Sequence, residues 1–438
     1  MKRTIYNKLI KRKLSKDRKP LMNYGARQIG KTYILKKFGE QEFDSFVYIN
    51  CFRNESAKTL FAESKNVSNI VLGLSAMSGV TITPGKTLVF LDEIQEIPAA
   101  VSALKYFCED MPELHVVVAG SLLGVMNLEG ESFPVGKVNI MHLYPMTFSE
   151  FLLAMDKKAL YDILASHDYA TAKIVAPLFK DMLRQYYFTG GMPEAVLSFS
   201  QKKDINEVRA IQNEIIASYM SDISKHTGKE AQRIRMVWQS IPSQLAKENK
   251  KFIYGAVRKG ARAADFEIAI QWLIDTGLVY KVGRVKDARI PLKFYEDPNV
   301  FKLYLVDIGL LGALAIVPPD QILIGDNVFK EYKGAFTENY VIQQLSTIPN
   351  LPVYYYSKDN STMEIDFIVQ SGDQVLPVEV KAEENTKAKS LRTFVTEEFS
   401  KYNLTGVRLS MKDYERQSWM VNVPLYFTET FFETNDDL

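Results

Sequence analysis

Eight residues near the N-terminus have the types and spacing of a phosphate-binding loop. Gly25-Ala26-Arg27-Gln28-Ile29-Gly30-Lys31-Thr32 fits G-x-x-x-x-G-K-[ST], and it stands between a short apolar segment and a helix-like one. In such a loop the glycines let backbone N–H groups surround phosphates, and the helix N-terminus adds positive potential. Lys31 would neutralise the β and γ oxygens, and Thr32 would ligate magnesium. The pattern predicts a site for ATP with Mg²⁺; the alternative is a chance glycine turn.

Two acids follow a second apolar segment. The run Thr87-Leu88-Val89-Phe90-Leu91 ends in Asp92-Glu93. Asp92 is placed to hold magnesium through a bound water, and Glu93 is placed to polarise the attacking water. Two acids after a buried strand could instead begin a solvated loop. Beside a complete phosphate-binding loop, the pair favours hydrolysis of the nucleotide.

A third apolar segment ends in a small polar residue. His115 to Ala119 is followed by Gly120-Ser121. A polar side chain at such a strand tip can contact the γ-phosphate or the attacking water, so Ser121 is a third catalytic candidate. Serine is also a common turn residue. The four histidines, His115, His142, His167 and His226, are scattered and indicate no metal-ligand set.

The composition is that of a soluble globular protein with several domains. The chain has 438 residues, of which 47% are apolar and 24% charged, and 54 Lys and Arg oppose 52 Asp and Glu. Any basic surface for nucleic acid must therefore be local. Cys51 and Cys108 have neither metal spacing nor a disulfide framework, and we see no signal peptide or bilayer-spanning run. We expect a cytoplasmic protein without membrane contact.

The order of segments predicts an α/β protein in four parts. Strand-like and helix-like segments alternate over 1–155, which is typical of a parallel sheet covered by helices. Residues 156–230 have a helical pattern, and 231–327 resemble a winged helix whose last helix runs into a β wing. Residues 328–438 read as helix, three strands, helix and strand. The predicted elements of this last part are 334–345, 353–356, 364–369, 375–381, 390–399 and 405–409.

The last part carries acids that could form a second site. Glu338 lies in its first helix, Asp366 in its second strand, and Glu379 and Lys381 in its third. Residues two apart on a strand face the same side, so Glu379 and Lys381 would point together. Such carboxylates could bind magnesium and activate a water for phosphodiester cleavage. Alternating charged and apolar residues are equally typical of a half-exposed strand.

These ordered motifs resemble a bacterial and archaeal group of AAA-type P-loop ATPases that carry a C-terminal domain of unknown function related to PD-(D/E)XK nucleases. The resemblance implies an ATP-binding domain, a helical lid, a winged-helix middle and a nuclease-like end. It departs from the family where Ala26 replaces the usual proline and where Lys137 replaces an arginine, which Lys cannot match in bidentate contacts. Besides the motifs above, it rests on Leu91-Asp92-Glu93-Ile94-Gln95, Leu143-Tyr144-Pro145-Met146-Thr147-Phe148-Ser149-Glu150-Phe151, Gly190-Gly191-Met192-Pro193-Glu194, Lys333-Gly334-Ala335-Phe336-Thr337-Glu338-Asn339, Glu364-Ile365-Asp366-Phe367 and Val378-Glu379-Val380-Lys381.

Two basic stretches could contact the phosphates of DNA or RNA. Runs of charge are more often solvated surfaces, and many winged helices bind proteins instead. The first stretch is Lys2, Arg3, Lys8, Lys11, Arg12, Lys13, Lys16, Arg18 and Lys19, and the second is Arg233, Arg235, Lys247, Lys250, Lys251, Arg258, Lys259 and Arg262.

The leading hypothesis is an ATP-hydrolysing enzyme whose nucleotide state controls the nuclease-like domain. A slow ATP-dependent switch or scaffold with an inactive nuclease-like fold is one alternative, and it implies a protein partner or self-association. An ATP-gated, metal-dependent DNA nuclease is another. A small-molecule kinase is less favoured, because Asp92-Glu93 and the further strand ending at Ser121 indicate hydrolysis.

Overall fold

The chain divides into two compact units. The computed structural model describes residues 2–120, 133–225, 228–247, 250–324, 329–359, 361–382 and 388–433. The N-terminal unit comprises residues 2–144 with 275–277, and the C-terminal unit comprises 145–274 with 278–438. Within the described residues, no helix is both long and apolar enough to cross a membrane.

A five-stranded parallel sheet forms the centre of the N-terminal unit. Its strand order is β2-β3-β4-β1-β5. Strands β3 and β4 are buried along their whole length, which suits their continuous apolar sequences. The predicted α/β sheet is confirmed. The strands are β1 (Leu21–Tyr24), β2 (Ser45–Asn50), β3 (Thr87–Asp92), β4 (His115–Ala119) and β5 (Asn139–His142).

Helices pack against this sheet and fix the ends of its strands. One large core joins Met22 and Tyr24 of β1 to Leu91 of β3 and to apolar side chains of three helices, among them Phe61 and Leu104. This packing holds the ends of β1 and β3 in place, where the loop and the two acids begin. The described helices of the unit are α1 (Thr4–Leu14), α2 (Lys31–Glu42), α3 (Glu55–Glu63), α4 (Val67–Ser78) and α5 (Pro98–Asp110).

The first half of the C-terminal unit is helical, as its sequence pattern predicts. The longest helix here contains buried Ile215 and Tyr219, and the next contains buried Trp238. The helices are α6 (Phe148–Ala154), α7 (Lys158–Ala165), α8 (Tyr169–Ile174), α9 (Ala176–Thr189), α10 (Pro193–Lys202), α11 (Ile205–Ser224), α12 (Gly228–Leu245), α13 (Tyr254–Val257) and α14 (Ala263–Asp275).

An eight-stranded sheet forms the second half of this unit. Its order is β12-β13-β11-β10-β9-β8-β6-β7. The strands are β6 (Val279–Val285), β7 (Glu296–Leu305), β8 (Val353–Ser357), β9 (Glu364–Ser371), β10 (Gln374–Val380), β11 (Gly406–Ser410), β12 (Glu415–Arg416) and β13 (Met420–Pro424). The helices here are α15 (Ile308–Leu314), α16 (Pro319–Ile324), α17 (Phe329–Leu345), α18 (Lys389–Thr393) and α19 (Thr428–Glu433).

The hairpin predicted to be a wing belongs to this large sheet. Strands β6 and β7 pair antiparallel, and β6 also pairs in parallel with β8 of the last part of the chain. The winged helix over 231–327 is therefore not confirmed. A hairpin sequence specifies its two strands, but it does not specify which sheet edge they join.

The order of elements after residue 328 agrees with the prediction. Helix α17 is followed by β8, β9 and β10, then by α18 with a π-helical turn at Phe394–Glu398, and then by β11. Leu391 and Phe394 of the helical stretch pack on Ile365 and Ile368 of β9. This order alone does not distinguish a PD-(D/E)XK nuclease from other α/β arrangements.

Candidate functional site

The backbone of the phosphate-binding loop is turned by residues with positive φ. Gly25 has φ 147°, Gln28 has φ 64°, and Gly30 has φ 87° at the start of α2. A Cβ atom on Gly25 would lie 2.2 Å from the carbonyl oxygen of Leu143, so only glycine fits there. Backbone turns of this kind form concave surfaces of N–H groups that bind anions.

Ala26 and Ile29 anchor the loop in the core of the unit. They are buried, whereas Arg27 and Gln28 between them are exposed. Because Ala26 points into the protein, the loss of the usual proline leaves the phosphate-facing side of the loop unchanged.

Lys31 folds back onto the loop. Its Nζ atom donates hydrogen bonds to the carbonyl oxygens of Gly25, at 2.8 Å, and Ala26, at 2.7 Å. Burial lowers the pKa of Lys31 to about 8, although the carboxylates of Glu93 and Asp92 act in the opposite direction. An ammonium group therefore sits inside the turn that would hold phosphates, bonded only to carbonyl groups of that turn among the contacts described.

Thr32 and Asp92 meet at the edge of the sheet. The Thr32 hydroxyl donates to Oδ2 of Asp92 at 2.8 Å, and the Tyr48 hydroxyl donates to the same oxygen at 3.2 Å. Burial raises the pKa of Asp92, while the hydrogen bond from Thr32 lowers it. A hydroxyl and a carboxylate side by side are ligand types that suit Mg²⁺, so these residues fit the ion that the sequence predicts.

Glu93 turns away from the strand that ends at Asp92. Its φ is 52°, and its backbone N–H donates to Oδ1 of Asp92 at 3.1 Å. Oε2 of Glu93 accepts a hydrogen bond of 2.6 Å from Nε2 of Gln95. Gln95 belongs to the motif Leu91-Asp92-Glu93-Ile94-Gln95, but only its contact with Glu93 in the structure assigns it to the site.

Lysine ammonium groups lie beside carboxylates of the predicted acidic site in the C-terminal unit. Glu338 is buried, forms an ion pair with Lys250, and accepts a hydrogen bond of 2.9 Å from the Tyr304 hydroxyl. Its other cationic neighbour is Lys302, at 3.9 Å. Burial alone would raise the pKa of Glu338, but the two lysines outweigh it and lower that pKa.

Lys302 is the most deeply buried charge of this cluster. Its side chain is 0% exposed, its ammonium lies 2.5 Å from Oε1 of Glu364, and it stands over the ring of Tyr355. Burial would lower the pKa of Lys302, but Glu338, Glu364 and Asp366 raise it overall. Lys302 lies on β7, outside the segment 328–438 that contains the predicted nuclease-like residues, so no sequence motif indicates it.

Asp366, Glu379 and Lys381 lie on the adjacent strands β9 and β10. Asp366 accepts a hydrogen bond of 2.7 Å from the N–H of Val380, and burial together with Glu338 raises the pKa of Asp366 to about 7. Lys381 lies 2.7 Å from Oε1 of Glu379.

The acidic cluster does not fit a divalent cation in this arrangement. Oxygens of Glu338, Glu364 and Glu379 face ammonium groups, and Asp366 is bonded to the backbone. Among the described residues, no three His, Cys, Asp or Glu side chains come together as a metal site. We therefore derive no metal-dependent cleavage step from these residues.

Residues 17–152 match the AAA domain family. The match contains the phosphate-binding loop, Asp92 and Glu93, and all strands of the five-stranded parallel sheet. Residues 180–321 match a domain of unknown function (DUF8612), and residues 333–427 match another (DUF4143). No curated protein matches the chain significantly.

Solved structures resemble the chain only distantly. The Walker-type ATPase PABY2304 of Pyrococcus abyssi is 13% identical with a TM-score of 0.45, covering 72% of this chain and 95% of its own. The Aeropyrum pernix ORC1 protein in complex with DNA is 15% identical with a TM-score of 0.29, covering 72% and 91%. Cdc6p from Pyrobaculum aerophilum is 13% identical with a TM-score of 0.26, covering 73% and 92%. Similarity at these TM-scores carries no functional information.

Of the two remaining candidates between residues 17 and 152, Ser121 and Lys137, the structure describes only Lys137. Ser121 lies outside the described residues, so its predicted role stays a prediction. Lys137 forms an ion pair of 2.8 Å with Glu109 of α5, and both side chains are partly exposed.

The basic stretches are partly engaged within their own units. Arg3 donates to the carbonyl oxygens of Ile29 and Tyr144 in the AAA domain. In the second stretch, Arg233 and Arg258 each lie 3.7 Å from Asp265. These contacts reduce the charge that is left for nucleic acid, although Lys259 and Arg262 remain exposed.

Two of the sequence motifs, residues 143–151 and 190–194, meet at a buried hydrogen-bonded cluster around Asp307 in the C-terminal unit. Backbone N–H of Met146 donates to the carbonyl oxygen of Gly191, whose own N–H donates to Oδ2 of Asp307. Gln343 of α17 donates to Asp307 at 3.1 Å and to the Tyr186 hydroxyl at 3.0 Å. These motifs therefore join the chain after the AAA domain to the helix that carries Glu338.

Proposed function

We propose that this protein is a magnesium-dependent ATP hydrolase whose nucleotide state acts on the C-terminal unit. The observation that carries the proposal is the hydrogen bond of 2.8 Å between Thr32 and Asp92, with Glu93 next to it. The residue types expected for phosphate binding, magnesium binding and water activation thus occur together in one AAA domain.

The loop supplies the binding energy for the triphosphate. Backbone N–H groups of residues 25–32 and the N-terminus of α2 attract the phosphates. Lys31 gives up its two carbonyl partners and turns its ammonium to the β and γ oxygens. Thr32 and Asp92 would hold Mg²⁺, which neutralises phosphate charge during transfer.

Glu93 supplies the base for hydrolysis. It accepts a proton from water as the water oxygen bonds to the γ-phosphorus and the bond to the β–γ bridging oxygen breaks. The products are ADP and inorganic phosphate. Thr32 and Tyr48 donate hydrogen bonds to the carboxylate of Asp92, and these bonds fix its orientation beside the loop.

For the C-terminal unit, a non-cleaving scaffold is the second candidate, favoured over a nuclease by one observation. Lys302 and Lys250 stand beside the carboxylates that a cleavage metal would need. We infer that this unit transmits the nucleotide state to a protein or nucleic-acid partner. The exposed Lys259 and Arg262 are candidate contacts for DNA or RNA.

Nucleotide binding and product release test the proposal together. Calorimetry with ATP and Mg²⁺ should show saturable binding to the wild type and none to Lys31→Ala, while Lys37→Ala, on the same helix, binds normally. Phosphate release should exceed one equivalent per protein, with and without duplex DNA. A wild type that binds ATP but releases less than one equivalent would favour the switch alone.

Plasmid incubation separates the scaffold from the nuclease. With Mg²⁺ or Mn²⁺ the wild type should leave supercoiled DNA intact. Cleavage that Asp366→Ala abolishes would establish the nuclease instead.

A further inference from the structure

Gln95 connects the ends of two strands beside the proposed base. It lies in the short 3-10 turn Ile94–Glu96 that follows β3, and its Nε2 atom donates to Oε2 of Glu93 at 2.6 Å. A hydrogen bond to an ionised carboxylate is short and strong, and it fixes the orientation of the carboxylate. The bond occupies Oε2 of Glu93.

The other end of the Gln95 amide has an unmet hydrogen-bonding capacity. Its Oε1 atom is buried, and none of the described residues donates a hydrogen bond to it. Buried amide oxygens are rarely left unpaired, because the lost bond to water destabilises the fold. An atom in this state next to a reacting group is suited to accept a hydrogen bond from something that enters the site.

Gly120 leaves the space for this amide oxygen. It follows β4, the neighbour of β3 in the sheet, and a Cβ atom there would lie 2.4 Å from Oε1 of Gln95. Any other residue at position 120 would displace the amide. The missing side chain at Gly120 therefore leaves room for the amide of Gln95 beside Glu93.

We infer that Gln95 is a positioning residue for ATP hydrolysis, holding Glu93 through Nε2 and accepting a hydrogen bond from the attacking water through Oε1. The inference rests on the proposed function. The water then has two acceptors, Glu93 for the proton that it loses and Gln95 for the one that it keeps, which fixes its oxygen toward the γ-phosphorus. The products are still ADP and inorganic phosphate, and Gln95 neither gains nor loses a proton.

Three variants test this assignment. Gln95→Met keeps the length of the side chain and removes both hydrogen-bonding atoms. Gly120→Ala keeps Gln95 but pushes its amide away. Glu96→Gln changes an exposed carboxylate in the same turn and serves as the control.

Steady-state kinetics should separate positioning from structural support. We expect Gln95→Met and Gly120→Ala each to lower kcat by about tenfold or more, with KM within about threefold of the wild type.

The double variant that combines Gln95→Met with Glu93→Gln tests whether the two side chains act on the same water. If Gln95 and Glu93 orient the same water, Gln95→Met should lower the residual rate of Glu93→Gln by a smaller factor than it lowers the wild-type rate, and an equal or larger factor overturns the assignment. Equal kcat in the wild type and Gln95→Met, or loss in KM alone, overturns the assignment and leaves ATP hydrolysis intact. A wild type without turnover overturns both the assignment and the proposed function.

Discussion

The hydroxyl of Thr32 and the carboxylate of Asp92 lie 2.8 Å apart, although 60 positions separate the two residues in the chain. Thr32 begins α2 after the phosphate-binding loop, and Asp92 ends β3. The parallel sheet brings these two element ends to the same edge, as it does in P-loop proteins generally. The pair is where magnesium dependence should reside.

Thr32→Val should remove the magnesium-dependent part of ATP affinity. Valine keeps the shape of the side chain and lacks the hydroxyl, and a hydrogen bond to a charged group contributes about 1.5–3 kcal/mol. We expect affinity with Mg²⁺ to fall roughly 10- to 100-fold and affinity in EDTA to change little. Calorimetry measures both, and Thr59→Val, on α3, is the control. Equal affinity of Thr32→Val and wild type in Mg²⁺ would contradict the assignment.

ATP affinity should fall as pH rises above 8. The pKa of Lys31 in the free protein is about 8, so its ammonium is progressively lost above that pH, and bound phosphates favour the protonated form. The expected decrease approaches tenfold per pH unit, with proton uptake on binding. Phosphate ionises near pH 6, so its own charge is constant over this range.

Lys31→Arg provides the comparison for this pH dependence. Arginine stays charged, so its affinity, even if lower, should be flat between about pH 7.5 and 9.5. Titrations in buffers of different ionisation enthalpy count the protons. Parallel pH curves for the two proteins would show that Lys31 does not titrate in this range.

Much of the nucleotide site follows from the sequence because its parts are local. The loop, the strand before it and the helix after it are continuous in the chain, and the pair Asp92-Glu93 directly ends a strand. The role of Gln95 depends on the distance between its amide and Glu93, which the residue letters alone do not give.

The sequence predicts the carboxylates of the acidic cluster around Glu338 and Asp366, but not the lysines beside them, because those lie elsewhere in the chain. Glu338 and Asp366 were identified from their elements, but Lys302 reaches them only because the β6–β7 hairpin joins the same sheet. Lys250 follows α12, 88 positions before Glu338. Long-range pairing of this kind leaves no local pattern, so the sequence does not reveal the ion pairs that these carboxylates form.

Lys302→Met should strongly destabilise the C-terminal unit. Removing this buried ammonium leaves the carboxylates of Glu338 and Glu364 without their shared partner, and such losses cost about 3–5 kcal/mol. The protein's three tryptophans, Trp238, Trp272 and Trp419, all belong to this unit. Tryptophan fluorescence during urea unfolding therefore reports on it.

A surface ion pair of the same unit is the control for Lys302→Met. Lys358 pairs with Glu398, and both side chains are substantially exposed. Lys358→Met should change the free energy of unfolding by less than about 1 kcal/mol. Similar effects of the two substitutions would refute the view that Lys302 neutralises a buried acidic cluster.

The stability of the C-terminal unit should decrease between pH 4 and 7 through Asp366. The pKa of Asp366 is about 7 in the folded protein and about 3.9 in an unfolded chain. Over this window the folded state holds the proton that the unfolded state releases, so the free energy of unfolding falls as pH rises. Asp366→Asn should flatten that slope, whereas the exposed Asp373→Asn should not. An unchanged slope in Asp366→Asn would assign the dependence to other groups.

The most direct test of the account is a comparison of ATP binding and ATP hydrolysis in Glu93→Gln. Glutamine keeps the size of the side chain but cannot accept the proton from water, so binding should stay within about threefold of the wild type while steady-state phosphate release falls by about 100-fold or more. Stable ATP on the Glu93→Gln protein, with turnover in the wild type, is the predicted result. Phosphate release by Glu93→Gln at the wild-type rate would contradict the proposed site of hydrolysis.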